Sequence, residues 1–345
     1  MRVYSPVTNT PAFEPAGTLV PVPSITLPVR GEFQLALGLP AAIRRDLVGF
    51  DPDVVHVATP DILGTRAQSF AKAQGVPIVA SQHTLFETYL EHYRLGWLRP
   101  LAEAHLARFY RRSDHVLAPT DQLAADMRQL RGDDAVSVWS RGVDRALFDP
   151  ARRDLAWRRA LGVGDDEIAL LFFGRLVREK GVASFISVTK QLRRQGLPVR
   201  ALVVGEGPAR HDFEAMGDAI VLGHLEGESL ARAVASADIF YHPSMTETFG
   251  NVVLEAMAAG LPVVAADAPG SRALLDDGRA GRLCPPLGDA AACAALTALA
   301  TSPAQRRELG ALARQRSTLY SWDAASAAVE RVYRAMQKGR HQRPS

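Results

Sequence analysis

Short apolar runs, each followed by a longer segment of helical periodicity, recur along the whole chain and restrict it to a parallel α/β sheet. In the first half Val54-Val55-His56-Val57, Pro77-Ile78-Val79-Ala80 and His115-Val116-Leu117-Ala118 read as strands. In the second half the runs are Ala169 to Phe173, Arg200 to Val204, Ile220-Val221-Leu222, Ile239-Phe240-Tyr241 and Val263 to Ala266. Such runs are apolar on both faces, as strands covered by helices on either side must be. The pattern occurs twice, so the expected fold is α/β with two doubly wound, Rossmann-like domains. The segment from Arg141-Gly142-Val143-Asp144 to Phe148-Asp149-Pro150 reads as the linker.

A length of 345 residues with 47% hydrophobic and 22% charged residues is enough for two well-buried cores. The formal net charge is only +3, with 40 basic against 37 acidic residues, which argues against a nucleic-acid partner. Cys284 and Cys293 stand without a Cys-x-x-Cys or a Cys/His cluster, so neither a disulfide framework nor structural zinc is expected. The chain carries no long apolar run and no signal-peptide pattern, and a cytoplasmic location is expected.

Chemistry is concentrated at Thr246-Glu247-Thr248-Phe249-Gly250-Asn251 and the following Val252 to Gly260. Gly250 and Asn251 open a helix that ends at Gly260, with Glu247 in the preceding loop and Glu255 inside. A helix N-terminus presents unpaired N–H groups and the positive end of its dipole, which suits a phosphate. Glu255 can accept hydrogen bonds from a diol. Read without context, Glu247 could be a capping carboxylate and Glu255 a solvated one. A second element stands earlier: the buried run Leu170-Leu171-Phe172-Phe173, then Gly174-Arg175-Leu176-Val177-Arg178-Glu179-Lys180-Gly181, then a helical pattern from Val182 to Arg194.

Together the E-x7-E element with its Phe-Gly and the G-R-L-x-x-x-K-G element resemble the donor site of retaining glycosyltransferases of the family-four type (GT4), which includes GDP-mannose-dependent α-mannosyltransferases. The resemblance implies a GT-B fold, two Rossmann-like domains facing across a cleft. It assigns Arg175 and Lys180 to the donor diphosphate, with the Gly250 amide and Gly174, Phe249 and Asn251 around them. Glu247 would orient sugar hydroxyls and Glu255 the ribose. Gly205, in Gly205-Glu206-Gly207, lies near the donor in relatives, and His224 and Leu225 match a segment that holds the base. His83, in Ala80-Ser81-Gln82-His83-Thr84, resembles a histidine that bonds a sugar hydroxyl. Arg178 is expected to be a solvated cation.

Trp139-Ser140-Arg141-Gly142-Val143-Asp144 through Pro150 matches the segment that joins the domains in relatives. The implied division is an acceptor-side domain over 1–145, a donor domain over 146–322 and a helix over 323–345 that crosses back to the first domain, with the tail after Lys338 frayed. Relatives open with a strand, a glycine-rich loop and a helix. Here Met1-Arg2-Val3-Tyr4-Ser5-Pro6-Val7 resembles their second strand, so a first βα unit of roughly forty residues is expected to be absent, by a misplaced start or in fact, and with it the central strand of the first sheet.

Phe86-Glu87-Thr88-Tyr89-Leu90, His92-Tyr93-Arg94-Leu95-Gly96-Trp97-Leu98 and Phe109 to Arg112 mix aromatics with cations. They fit either peripheral contact with the inner face of a membrane or a helix burying Tyr93, Trp97 and Phe109. Asp51-Pro52-Asp53 precedes a strand and reads as a turn, not a metal site. The reading is an enzyme, a hexosyltransferase. It moves mannose from GDP-mannose to a hydroxyl of a glycolipid or saccharide by front-face displacement, with no metal or other cofactor expected. A UDP-glucose or other UDP-hexose donor is the alternative within the class; a non-catalytic nucleotide-holding subunit and a nucleotide-sugar epimerase are alternatives outside it.

Overall fold

The computed structural model describes residues 1–7, 17–27, 30–83 and 96–341. The strands, in chain order, are β1 (Arg2–Ser5), β2 (Thr18–Pro21), β3 (Ser24–Leu27), β4 (Arg30–Ala36), β5 (Val55–Val57), β6 (Ile78–Ser81), β7 (His115–Ala118) and β8 (Val136–Val138). They continue as β9 (Ile168–Phe173), β10 (Val199–Val204), β11 (Ile220–Val221), β12 (Ile239–His242), β13 (Val263–Ala266) and β14 (Arg282–Cys284).

The second half is one six-stranded sheet in the order β11-β10-β9-β12-β13-β14, with every pairing parallel. All six residues of β9 are buried, and they divide between two cores by the strand's period of two. Ala169, Leu171 and Phe173 join one cluster with Phe240 and Leu254; Ile168, Leu170 and Phe172 join the other with Phe185 and Phe213. A central parallel strand has helices on both faces, which is why its sequence lacks polar alternation.

The first half is divided among separate ladders: β1 with β2 in parallel, β3 with β4 antiparallel, and a parallel sheet β5-β6-β7-β8. β2, the hairpin β3–β4, β8 and β14 escaped the sequence reading; all but the seven-residue β4 have only three or four residues, too few for periodicity to stand out. Phe109 and Tyr110 are buried in the core of the β5–β8 sheet, with Ile78, Val116 and Met127. Trp97 is 74% exposed and so does not join that core; residues 84–95 of the aromatic and basic stretch lie outside the described residues.

The chain crosses between halves twice at nearly one place. A Cβ on Gly142 would lie 2.1 Å from the Trp322 nitrogen, so only glycine lets the outgoing linker pass the start of the final helix. That helix, Trp322–His341, continues beyond the expected fraying point at Lys338. It lays Val329, Val332, Tyr333 and Met336 against Val79 and Leu117 of the first-half sheet. Arg340 also bonds the Pro52 carbonyl and pairs with Asp51, which closes the helix Ala41–Phe50 in a left-handed conformation. The Asp51-Pro52-Asp53 turn is thus a fastening point for the last helix.

Candidate active site

In the six-stranded sheet the order reverses between β9 and β12, and a crevice opens beyond the carboxyl ends of strands at such a switch point. Gly174-Arg175 follows β9, and the loop carrying Glu247 follows β12. Phe172 to Arg175, Lys180, His242 and Glu247 to Val252 line a cavity of about 370 Å³ whose other wall holds His83 and Arg141. A second cavity of about 440 Å³ lies between β8 and the last helix and contains none of the motif residues.

The helix Asn251–Ala258 starts from Gly250 at φ +95°, a left-handed conformation suited to glycine, and points its first turn at the cavity. The Asn251 and Val252 N–H groups precede the first bond of the helix, from Val253 to the Gly250 carbonyl, an arrangement that suits an anion. Gly174 lines the cavity, and Gly205 packs against it. A Cβ on Gly205 would come within 1.9 Å of the Gly174 oxygen, so the loops after β9 and β10 touch backbone to backbone.

Lys180 and Glu247 form an ion pair in which each side chain is 17% exposed. His242 Nε2 stands 3.5 Å from the same carboxylate oxygen, an ion-pair distance beyond a good hydrogen bond. Burial pushes the Glu247 carboxyl up, but His242 and Lys180 outweigh it and hold the group down to about 2. Arg175 is exposed on the cavity rim. Glu255 lies behind this front, half-buried in its helix and outside the lining, and burial alone raises its carboxyl to about 7.

On the opposite wall His83 Nδ1 is 2.6 Å from Arg141 Nη2, and His83 Nε2 is 2.7 Å from Ser81 Oγ. Both ring nitrogens are therefore taken up within the protein. Burial, and then the charge of Arg141, lower His83 to about 4, so its ring is neutral near pH 7. The Thr248 hydroxyl donates to the His83 carbonyl across the cleft at 2.9 Å. His224 is 72% exposed in the loop after β11, beside half-buried Leu225, and neither lines the cavity. Arg178 is exposed, as expected of a solvated cation.

Sequence reasoning missed Arg141 and Trp139, which it treated only as linker, and His242 at the end of β12. A basic residue directly before Gly142 was the available signal for Arg141; nothing local marked His242. Among the described residues no group of three or more His, Cys, Asp or Glu side chains is placed to hold a metal ion, and no helix is long and apolar enough to cross a membrane.

Comparison with known proteins gives the same architecture. Over 98% of this chain and 89% of the other, the fold matches sucrose-phosphate synthase from Thermosynechococcus elongatus with a TM-score of 0.77 at 20% identity. It matches Anabaena HepE, solved with UDP and glucose, with a TM-score of 0.69 at 20% identity over 86% and 82% of the two chains. These likenesses define the class, a GT-B fold of two Rossmann-like units. The family model for glycosyltransferase family 4 matches residues 1–147, and that for glycosyl transferases group 1 matches residues 167–302.

A GDP-mannose-dependent alpha-mannosyltransferase of Mycolicibacterium smegmatis is 36% identical over 80% of this chain and 72% of its own length. One of the same name from Mycobacterium tuberculosis is 39% identical over 73% of this chain and 65% of its length. The sulfoquinovosyl transferase SQD2 of Arabidopsis thaliana is 33% identical over 89% of this chain, which spans 61% of that relative. The chain belongs to glycosyltransferase family 4.

Proposed function

We propose that the protein is a retaining hexosyltransferase that moves mannose from GDP-mannose to a hydroxyl of a glycolipid or saccharide acceptor. The observation that carries this reading is the cavity at the β9/β12 switch point, where a helix N-terminus, Arg175 and Lys180 converge. As the glycosidic bond breaks, the departing nucleoside diphosphate gains charge, and preplaced cations stabilise that state more than the ground state. Arg175, Lys180 and the Gly250 amide take the diphosphate, with Gly174 and Gly205 allowing close approach, and Phe249 and Asn251 shape the pocket. Glu247 orients the sugar hydroxyls and Glu255 the ribose; His224 and Leu225 border the base.

The acceptor hydroxyl attacks on the face the diphosphate leaves, its proton passes to the leaving phosphate, and configuration is retained. This route requires no protein nucleophile. The working division is an acceptor domain over 1–145, a donor domain over 146–322 and the returning helix over 323–345. Exposed Trp97 and Leu101, at the start of the helix Arg99–Arg111, support an acceptor met at an anionic membrane face. The relatives named as GDP-mannose-dependent support the donor, while the sulfoquinovosyl relative, named for another sugar, leaves room for the UDP-hexose alternative raised by the sequence as a second reading.

Thermal shift with GDP-mannose, UDP-glucose, GDP and UDP tests the donor, followed by transfer of labelled mannose and the anomeric configuration of the product by NMR. Selective stabilisation by GDP ligands with an α-linked product is expected. Stabilisation by UDP ligands alone selects the second donor, and binding without transfer to any acceptor selects a non-catalytic subunit.

A further inference from the structure

Arg141 leaves the linker with its guanidinium 4.6 Å above the ring of Trp139 and its Nη2 against His83. It lines the cavity, and among the described residues no carboxylate pairs with it. An arginine can only donate hydrogen bonds, so His83 Nδ1 must be the acceptor. That single constraint orders a chain of groups into the first domain. His83 then carries its proton on Nε2 and donates to Ser81 Oγ at 2.7 Å; Ser81 donates to His56 Nε2 at 2.9 Å; His56 donates from Nδ1 to the Tyr333 hydroxyl at 2.5 Å.

Ser81 is fully buried, and burial lowers both histidines to about 4, so the chain is neutral and each tautomer is defined. Trp139 meets the rings of His83 and His56 at 5.4 and 5.8 Å and fixes their planes. The result is a guanidinium held from below by a neutral acceptor and an aromatic face, with its charge uncompensated toward the cavity. A partly buried cation held this way is completed by a planar or tetrahedral oxyanion, which its fork can bind at two points.

We propose that Arg141 binds an oxyanion of a substrate from the first-domain wall, and that His83, Ser81, His56 and Tyr333 are positioning residues that aim it. This rests on the nucleotide-sugar reading of the cleft. Two sources of the oxyanion share this chemistry: the terminal phosphate of the donor's diphosphate, and an acidic group on the acceptor. Arg175 and Lys180 reach the cavity from the second domain, so Arg141 adds a cation that closes on the same space from the other side.

The test uses the full chain and its Arg141→Met, His83→Leu, His83→Gln and Tyr333→Phe variants. Calorimetry measures affinity for GDP, inorganic pyrophosphate and guanosine, and transfer is compared between an alkyl hexoside and its 6-carboxylate. Arg141→Met should weaken GDP and pyrophosphate about tenfold or more with guanosine unchanged if the donor supplies the oxyanion. If the acceptor supplies it, the carboxylate's KM should rise about tenfold relative to the neutral hexoside, with GDP affinity unchanged. His83→Leu should reproduce the Arg141→Met effect, and His83→Gln, whose amide oxygen still accepts from Arg141, should restore most of the affinity.

Tyr333→Phe removes only the far end of the chain, and should shift the same affinities in the same direction by a smaller factor. Arg141→Met that leaves pyrophosphate, GDP and the carboxylate preference all unchanged overturns the proposal. Pyrophosphate binding that depends on Arg141 without any preference for GDP over pyrophosphate upholds it, while counting against the nucleotide-sugar reading on which the donor assignment stands. No oxyanion binding by the unaltered chain overturns both.

Discussion

Lys180 and Glu247, 67 positions apart in the chain, meet as an ion pair at the carboxyl ends of adjacent strands. The residues expected to hold opposite ends of the donor are thus each other's partner. On the proposed reading, a diphosphate beside Lys180 would exchange one anion for another, with little additional desolvation of the ammonium. Glu247 keeps His242 Nε2 as a second neighbour, 3.5 Å from its carboxylate.

Lys180→Met should lower kcat on the order of 100-fold, since a cation aimed at developing negative charge is worth several kcal/mol in a shielded site. Stability should fall by about 1–3 kcal/mol, between the costs for an exposed and a fully buried pair. Steady-state kinetics with GDP-mannose and melting curves measured together separate the two. A melting loss with undiminished kcat would make Lys180 a structural residue only.

Glu247 and the two histidines give the acid limb two sections. His56 and His83 stay neutral to about 4 in the folded chain but ionise near 6.5 when unfolded. The unfolded state therefore binds more protons, and stability falls as pH drops from 6.5 toward 4. Glu247, held to about 2 against an ordinary 4.5, contributes stability that is complete above 4.5 and lost as pH falls toward 2. Denaturant titrations across pH should show both slopes, with Glu247→Gln flattening only the lower one.

Glu255 acts in the opposite sense. Its carboxyl is raised from 4.5 to about 7, so the folded chain binds a proton that the unfolded chain does not, and stability declines as pH rises from 4.5 to 7 before levelling. Glu255→Gln should remove that decline and raise stability at pH 8 by about 2–3 kcal/mol. If Glu255 receives the ribose hydroxyls, GDP binding favours its carboxylate, and near pH 6.5 binding should release a proton. Calorimetry in buffers of differing ionisation enthalpy reads this release, which the glutamine variant should lack.

Gly205→Ala places a Cβ 1.9 Å from the Gly174 oxygen at a φ of +139°. Either the strand end or the Gly174-Arg175 loop must move, and the cost should be about 2–4 kcal/mol. GDP affinity should fall along with melting temperature. A variant with native stability and native affinity would show that the two loops do not depend on this contact.

The local chain determined most of the donor side. The uninterrupted apolar run of β9 required burial on both faces, and the glycine and small residues at Gly250 and Asn251 marked a helix start. These signals lie within a few residues of one another, where period and conformational preference act directly. The order of strands was a different matter, because any parallel arrangement would bury the same runs.

Only the reversal between β9 and β12 put Gly174-Arg175 next to the Glu247 loop and created the pair with Lys180. Likewise the links from Arg141 to His83, 58 positions apart, and from His56 to Tyr333, 277 apart, exist because the chain crosses between domains twice at one place. Partners at such separations leave no periodic trace in the sequence. Their union is decided by which strand ends and which helix face the folded sheets bring within hydrogen-bond reach.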